Sequence, residues 1–344
     1  MAVMKDVARQ AGVSISTVSF VLSGRAREHK VAESTVRRVL QTAKQLGYKP
    51  NIPGAAEGRA EPVVAFFIPE NAAWLDMEMV YRAIEADIRH SGRAYNVLLC
   101  PYPAGGLAAK LDGLGAGGCD AAVVGIESDN ELTALEQPPA NAQNDGDRPP
   151  FPLVIYNHGS TRFSSVTCLA DAAVNEAVQI ISAKRSAPIA VVTGDASLRT
   201  QDPYFSLFVA AAKACGIPLA EKNLIAAETT MRGGAIAARQ ILNLDPRPEL
   251  IVCMNSALAF GAIPLLARNG VLIPRDAELL CFGATGESEH IVNYIPSLSM
   301  IARPIDEMTA KAFELALQLA NVPEAPLQHC TCACRLLLHD SFAL

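Results

Sequence analysis

From Val63 onward the chain alternates short apolar runs with stretches of helical periodicity, a pattern that few architectures accept. The apolar runs are Val63–Ile68, Tyr95–Cys100, Ala121–Gly125, Leu153–Tyr156, Ile189–Thr193, Leu250–Met254 and Glu278–Phe282. Helical stretches fall near 76–91, 171–184, 203–215, 232–243, 256–269 and 304–320. Alternation of this kind predicts open, mostly parallel α/β sheets with helices on both faces. It continues for too long to fit one sheet comfortably, so two lobes are expected. Residues 136–152, rich in Pro, Asn, Asp and Gly, read as a polar surface loop.

The segment before Val63 is built differently. Lys5 to Ala11 is a short amphipathic run with Val7, Ala8 and Ala11 inward, stopped by Gly12. Ser14 is placed to cap a second helix, Ile15 to Leu22, which ends at Ser23-Gly24. A third helix is expected from about Glu33 to Leu46, with Val36, Val39, Leu40, Ala43 and Leu46 at helical spacing. Gly47 closes it and Pro50 prevents its resumption. Residues 51–62 hold two prolines and two glycines and read as a linker.

Charge divides the chain at the same place. Residues 1–60 carry a net charge of +6 and the remainder −12, within a total of −6. A small basic head on a large acidic body suits a nucleic-acid-binding module attached to a sensor. A basic surface face arising by chance is the alternative. No apolar run approaches the roughly 18 residues of a membrane span, and charges interrupt the N-terminus at Lys5 and Asp6, unlike a signal peptide. A cytoplasmic protein is therefore expected, and its nine cysteines should be free thiols.

The string from Asp6 to Ser19 has the features of a helix-turn-helix. Gly12 permits the tight turn, Ala8 is small where two helices cross, and Val13 and Val18 are set to be buried. Ser14, Ile15, Ser16, Thr17 and Ser19 would lie at the start and outer face of the second helix, where such motifs meet bases and phosphates. An ordinary helical hairpin would share the small residues but not the whole string. That string, with Val21-Leu22, Val36-Arg37-Arg38-Val39-Leu40 and Leu46-Gly47-Tyr48-Lys49-Pro50-Asn51, closely resembles the head of the LacI/GalR family of transcription regulators. The resemblance implies a dimer reading a palindromic operator in double-stranded DNA. It places Ile15 and Ser16 at base-reading positions, and Thr17 and Ser19 where hydroxyls hold phosphates. It also brings Tyr48 and Asn51 into the DNA-binding set. Phe20 falls where the family often has Arg or another polar reader. Phe20 and Ile15 cannot donate to guanine but can pack on a thymine methyl, which favours A·T contacts.

Two departures stand out. The segment Gly24 to Lys30 is longer and more basic than usual, and Arg25, Arg27 and Lys30 are expected to add phosphate contacts or to form a solvated loop. Family members usually fold a hinge helix after the position of Asn51 and wedge a Leu into the minor groove. Here Glu57 takes that place, preceded by Pro53 and Gly54, with Arg59 as a substitute contact or a simple linker charge.

The body resembles the periplasmic-binding-protein-like core of the same family through Val192-Thr193-Gly194, Phe208 to Gly216, Cys253-Met254-Asn255-Ser256, Ile273 to Glu278 and Pro296 to Ile301. The implied architecture is an all-α head (1–51), a linker (52–62) and a two-lobed α/β core (63–344) crossed three times by the chain. Lobe 1 is expected at about 63–168 and 294–322, and lobe 2 at about 169–290 and 324–344. A small-molecule effector would bind between the lobes at strand C-termini. The resemblance places Trp74, Asn157, Tyr204, Asn255 and Gly283 there. Tyr204 stands for a usual Arg, Gly283 for a usual acid and Asn157 for a common Asp, so the pocket is expected to carry little charge. The effector is then not a sugar, or the response to it is lost.

Cys330, Cys332 and Cys334 alternate as on one face of a strand and lack the spacing of a zinc site, and neither a phosphate loop nor a nucleophile elbow is evident. No cofactor, metal or catalytic set is expected. The leading reading is a ligand-controlled repressor. A solute-binding protein of similar core fold is the second reading and a Rossmann-like enzyme the third.

Overall fold

The computed structural model describes residues 4–22, 31–46, 61–70, 77–92, 94–115, 118–126, 128–137, 149, 151–184, 188–194, 196, 202–284 and 294–342. The linker, with Pro53, Gly54, Glu57 and Arg59, lies outside them, as do Arg25, Arg27, Lys30, Tyr48, Asn51 and Trp74.

Three helices form the head: α1 (Met4–Ala11), α2 (Ile15–Leu22) and α3 (Glu33–Gln45). Gly12 adopts φ 64°, the left-handed turn that ends α1. The Val13 N–H reaches back to the Ala8 carbonyl at 3.0 Å and satisfies one of the carbonyls the helix end leaves open. Two residues later the Ser14 hydroxyl accepts the Thr17 N–H at 3.0 Å and starts α2. Val7, Ala8, Ala11, Val18, Val21, Val39 and Ala43 make the core, with Val13, Val36 and Leu46 at its margin. These are positions that helical periodicity turns inward.

The body holds two six-stranded sheets. The first contains β1 (Val63–Pro69), β2 (Asn96–Tyr102), β3 (Ala121–Gly125), β4 (Leu153–Tyr156), β5 (Ser164–Leu169) and β11 (His329–Ala333), ordered β2-β1-β3-β4-β5-β11. Strand β1 runs parallel to β2 and β3, and β3 parallel to β4. Helices α4 (Met77–Ser91), α5 (Leu107–Leu114) and α6 (Asp129–Glu136) alternate with the strands. Ala65, Phe67, Ala122, Val124, Leu153 and Ile155 pack with Leu107 and Leu111 on one face. On the other, the Phe66 ring meets Tyr156 at 5.6 Å and Phe313 at 5.9 Å. Burial on both faces is why these strands read as unbroken apolar runs.

The second sheet repeats the plan. It contains β6 (Ile189–Thr193), β7 (Leu224–Ala226), β8 (Leu250–Cys253), β9 (Glu278–Ala284), β10 (Ser299–Arg303) and β12 (Arg335–Leu337), ordered β7-β6-β8-β9-β10-β12. The first five are parallel, and β12 is antiparallel to β10. Helices α7 (Asp171–Lys184) and α8 (Pro203–Ala214) bury Ala173, Val174, Phe205 and Phe208 with Val191 and Val252. Helices α9 (Met231–Leu242) and α10 (Ser256–Arg268) bury Ala237, Ala238, Leu258 and Ala262 with Val192 and Cys253. The last helix, α11 (Ile305–Asn321), follows β10.

The expected lobe boundaries need correction near the C-terminus. Strand β10 was assigned by sequence to lobe 1 within 294–322, but it continues the second sheet, Met300 opposite Cys281 and Ile301 opposite Phe282. Strand β11, expected in lobe 2 within 324–344, joins the edge of the first sheet. The chain forms two compact units: Met1–Ala72, Ile88–Ser165 and Ala312–Gln328 in one, and Ala73–Asp87, Val166–Lys311 and His329–Leu344 in the other. The division after Ser165 falls within β5, and β11 begins at the division after Gln328. Among the described residues no helix is long and apolar enough to cross a membrane.

Candidate nucleic-acid interface and ligand-binding edges

The start of α2 presents the head's candidate contact surface. Ile15 is 50% exposed although it opens an apolar helix, while Val18 one turn further on is fully buried. The Ser14 hydroxyl lies 2.8 Å from the hydroxyls of both Ser16 and Thr17. Ser14 and Ser16 are exposed and Thr17 is half-buried. One turn therefore gathers three hydroxyls and one exposed aliphatic side chain at a helix N-terminus, where backbone N–H groups and the helix dipole favour phosphate. Ser19 lies on the same helix, and its side chain is outside the description. Phe20 is half-buried, so its ring contributes to packing as well as to the surface. Lys5, Arg9, Arg37 and Arg38 add exposed positive charge on α1 and α3. Arg9 is held to Asp6 at 2.8 Å.

In both sheets the strand order reverses beside the first strand of the unit, between β1 and β3 and again between β6 and β8. Open parallel sheets hold ligands at the strand C-termini near such a reversal. In the first unit, Asn157 follows β4 with φ 68°, a left-handed conformation that Asn tolerates better than most residues. Beside it, His158 is partly buried with Nε2 4.0 Å from an Asp129 carboxylate oxygen. Burial pushes its pKa below the usual histidine value, and the charges of Asp129 and Glu131 oppose that shift. The Tyr102 hydroxyl, at the end of β2, lies 2.6 Å from the Gly125 carbonyl and 2.9 Å from Glu131 Oε2. This polar group of Tyr102, Glu131 and His158 was not singled out from sequence. Its members are far apart in the chain and share only their place after strand ends or in the following helix.

In the second unit, Asn255 follows β8, and its Oδ1 accepts the Ala257 N–H at 2.8 Å. Its carbonyl oxygen is thus engaged as the N-cap of α10. Tyr204 sits in the first turn of α8, which Asp202 caps by accepting N–H groups of Tyr204 (2.9 Å) and Phe205 (3.2 Å). Burial raises the Asp202 carboxyl pKa, opposed by those bonds and by Arg303. The Tyr204 ring packs 5.9 Å from Phe282 and lies under the Arg303 guanidinium at 5.5 Å. Gly283 is buried in β9, opposite Ala302. Tyr204, Phe282, Gly283 and Arg303 are therefore neighbours around the ends of β9 and β10.

Arg303 was not singled out from sequence. It is only 8% exposed at the C-terminal end of β10, so a guanidinium lies at this strand edge. The useful signal was an Arg directly before Pro304 at a strand-to-helix junction.

Residues 3–51 match the family model described as bacterial regulatory proteins, lacI family, and residues 181–342 match a periplasmic binding protein-like domain. The chain is 25% identical over 331 residues to the HTH-type transcriptional regulator DegA of Bacillus subtilis (strain 168), covering 90% of this chain and 89% of that protein. It is 25% identical over 320 residues to the HTH-type transcriptional repressor CytR of Escherichia coli (strain K12), covering 92% and 89%. Its fold is similar to the lac repressor dimer solved with operator and the anti-inducer ONPF, with a TM-score of 0.66 and 18% identity over 100% of this chain and 99% of that one.

Proposed function

We propose that this chain, whose residues 3–51 match the lacI family model and residues 181–342 a periplasmic binding protein-like domain, is a LacI-family regulator: a cytoplasmic, homodimeric repressor that binds a palindromic operator and answers to a small molecule. The observation that carries the reading is the N-terminal turn of α2, where an exposed Ile15 and the hydroxyls of Ser14, Ser16 and Thr17 lie together on a basic head. Ile15 packs on a thymine methyl, Ser16 reads a neighbouring base edge and Thr17 holds a phosphate. Ser19, Phe20, Tyr48 and Asn51 complete the contact set by the family resemblance, and the longer basic segment with Arg25, Arg27 and Lys30 adds phosphate contacts.

A two-fold pair of heads is needed because one head buries too little surface for specific binding. Helix α4 offers an apolar stripe for pairing: Met77, Tyr81 and Ile88 lie on one helical face and are 37%, 66% and 38% exposed. In α10, Leu258, Ile263 and Leu266 are buried while Phe260 and Leu265 are only partly so. The neighbouring exposed apolar residues are Met231 and Ile236 of α9. By the family resemblance, Trp74, Asn157, Tyr204, Asn255 and Gly283 serve the effector. On the second unit, Arg303 and the amide of Asn255 suit a polar ligand that accepts hydrogen bonds.

The test is selection from a pool of random-sequence duplexes by the full-length protein, followed by sequencing of the retained fraction. Enrichment of an inverted repeat with A·T pairs at fixed places in each half-site is the expected result. An unenriched pool would overturn the proposal.

A further inference from the structure

Cys168, near the end of β5, and Cys334, between β11 and β12, are 166 positions apart in sequence, yet their Sγ atoms approach to 3.3 Å. The two backbones run side by side there, the Cys334 N–H donating to the Leu169 carbonyl at 2.8 Å. Cys168 is partly exposed and Cys334 is buried. Other thiols have different surroundings: Cys253 and Cys281 are buried in a sheet core, and Cys332 lies 3.7 Å from Lys311 Nζ. We propose that Cys168 and Cys334 form a peroxide-responsive dithiol whose disulfide fastens together two segments through which the chain passes from one compact unit to the other.

The geometry requires little movement, because a disulfide sets its sulfurs about 2.0 Å apart. Exposure divides the two roles, since Cys168 is partly exposed and Cys334 is buried. A hydrogen bond from Cys334, the Arg303 charge and a hydrogen bond from Tyr204 favour the Cys168 thiolate against the cost of burial. Cys168 is therefore the attacking sulfur and Cys334 the resolving one.

The oxidant is hydrogen peroxide or an organic hydroperoxide. The Cys168 thiolate attacks the O–O bond, an S–O bond forms, and the departing hydroxide or alkoxide takes the proton that the thiol released. Cys334 then attacks the resulting sulfenic sulfur, the S–S bond forms, and hydroxide leaves with the Cys334 proton as water. Two thiols and one hydrogen peroxide give a disulfide and two waters, with two electrons passing from sulfur to oxygen. Fastening β5 to the segment after β11 restrains the two segments at which the chain passes between units.

The test uses reduced full-length protein treated with a few equivalents of hydrogen peroxide, alkylated, digested without reductant and analysed by mass spectrometry. The expected product is a peptide joining Cys168 to Cys334, two hydrogens lighter than its parts and separated again by dithiothreitol. Cys168→Ser should abolish it, and Cys334→Ser should leave a sulfenic acid on Cys168 that dimedone traps. The wild-type measurement stands even where a variant fails to fold. Oxidised wild type lacking this linkage, or linked through other cysteines instead, would overturn the proposal, as would Cys168→Ser oxidising at Cys334 at the wild-type rate.

Discussion

At Asn255 a residue expected to meet ligand also starts a helix. Its Oδ1 caps α10 through the Ala257 N–H, so truncation removes two functions at once. Asn255→Ala should cost about 0.5–2 kcal/mol of stability from the lost cap. Asn255→Asp keeps an acceptor oxygen and should cost much less, while removing the amide donors a ligand would use. Urea denaturation of the two variants checks this, and equal losses would mean that the cap contributes nothing. His158 makes a second single-residue prediction. Its pKa is depressed in the folded chain by burial, so the unfolded chain takes up the proton first as pH falls through about 6.5. Stability from this residue is complete above that value and declines on acidification until the folded pKa is reached. Between pH 7.5 and 5.5 the wild type should lose more stability than His158→Gln, as read from urea midpoints. Identical pH dependence would refute the assignment.

At the scale of elements, α9 and α10 approach so closely that two glycines are required for reasons of space. A methyl on Gly261 would meet the Met231 carbonyl, and one on Gly234 the Leu258 carbonyl. Gly261→Ala should destabilise the protein by about 1–3 kcal/mol, despite its better helix propensity, because backbone must move. Thermal unfolding measures it, and a rise in the midpoint would contradict the packing argument. Burying the Glu57 carboxylate against stacked bases is unfavourable, and Pro53 and Gly54 disfavour a short helix by roughly 3 and 1 kcal/mol when interior. The sequence alone therefore predicts that residues 52–61 stay largely non-helical and that bound operator is bent little. Energy transfer between dyes at the ends of a bound duplex should show nearly the free end-to-end distance, and a sharp central kink would sink this view. Elements were legible where one periodicity governed both structure and burial. Val7, Ala8, Ala11 and Val18 fix the head's core by local spacing, and the continuous runs of β1, β3, β6 and β8 announce strands buried on both faces. Crossover strand β5 was not legible, because Ser164, Ser165 and Thr167 form no apolar run and only pairing makes it a strand, whereas the alternation of Cys330 and Cys332 marked β11 as one. Arg303 was missed for a related reason. Its place beside Tyr204 follows from the parallel register of β9 and β10, which no local window contains.

For the whole molecule, the division of charge into a +6 head and a −12 body predicts that DNA affinity resides in the head and that the body stays off the phosphate backbone. The resemblance identified the two-part plan from about fifty residues, because a helix-turn-helix concentrates its constraints in one short string. The body's ligand is less legible, because the residues expected to serve it, such as Asn157, Tyr204 and Asn255, stand after strand ends or in helices distant in sequence. The central claim is that two heads read one operator through the face of α2 that carries Ile15. The measurement that tests it most directly is titration of the selected duplex, and of one carrying a single half-site, with full-length wild type and Ile15→Ala over a range of salt. The wild type should bind the full site as two chains per duplex, far more tightly than the half-site. The logarithm of its affinity should fall with that of salt at about −0.9 per phosphate neutralised. Ile15→Ala, altering a half-exposed side chain, should keep its stability and its salt slope and lose discrimination at one base pair in each half-site. Equal affinity for full and half sites, or unchanged discrimination by a folded Ile15→Ala, would contradict the account.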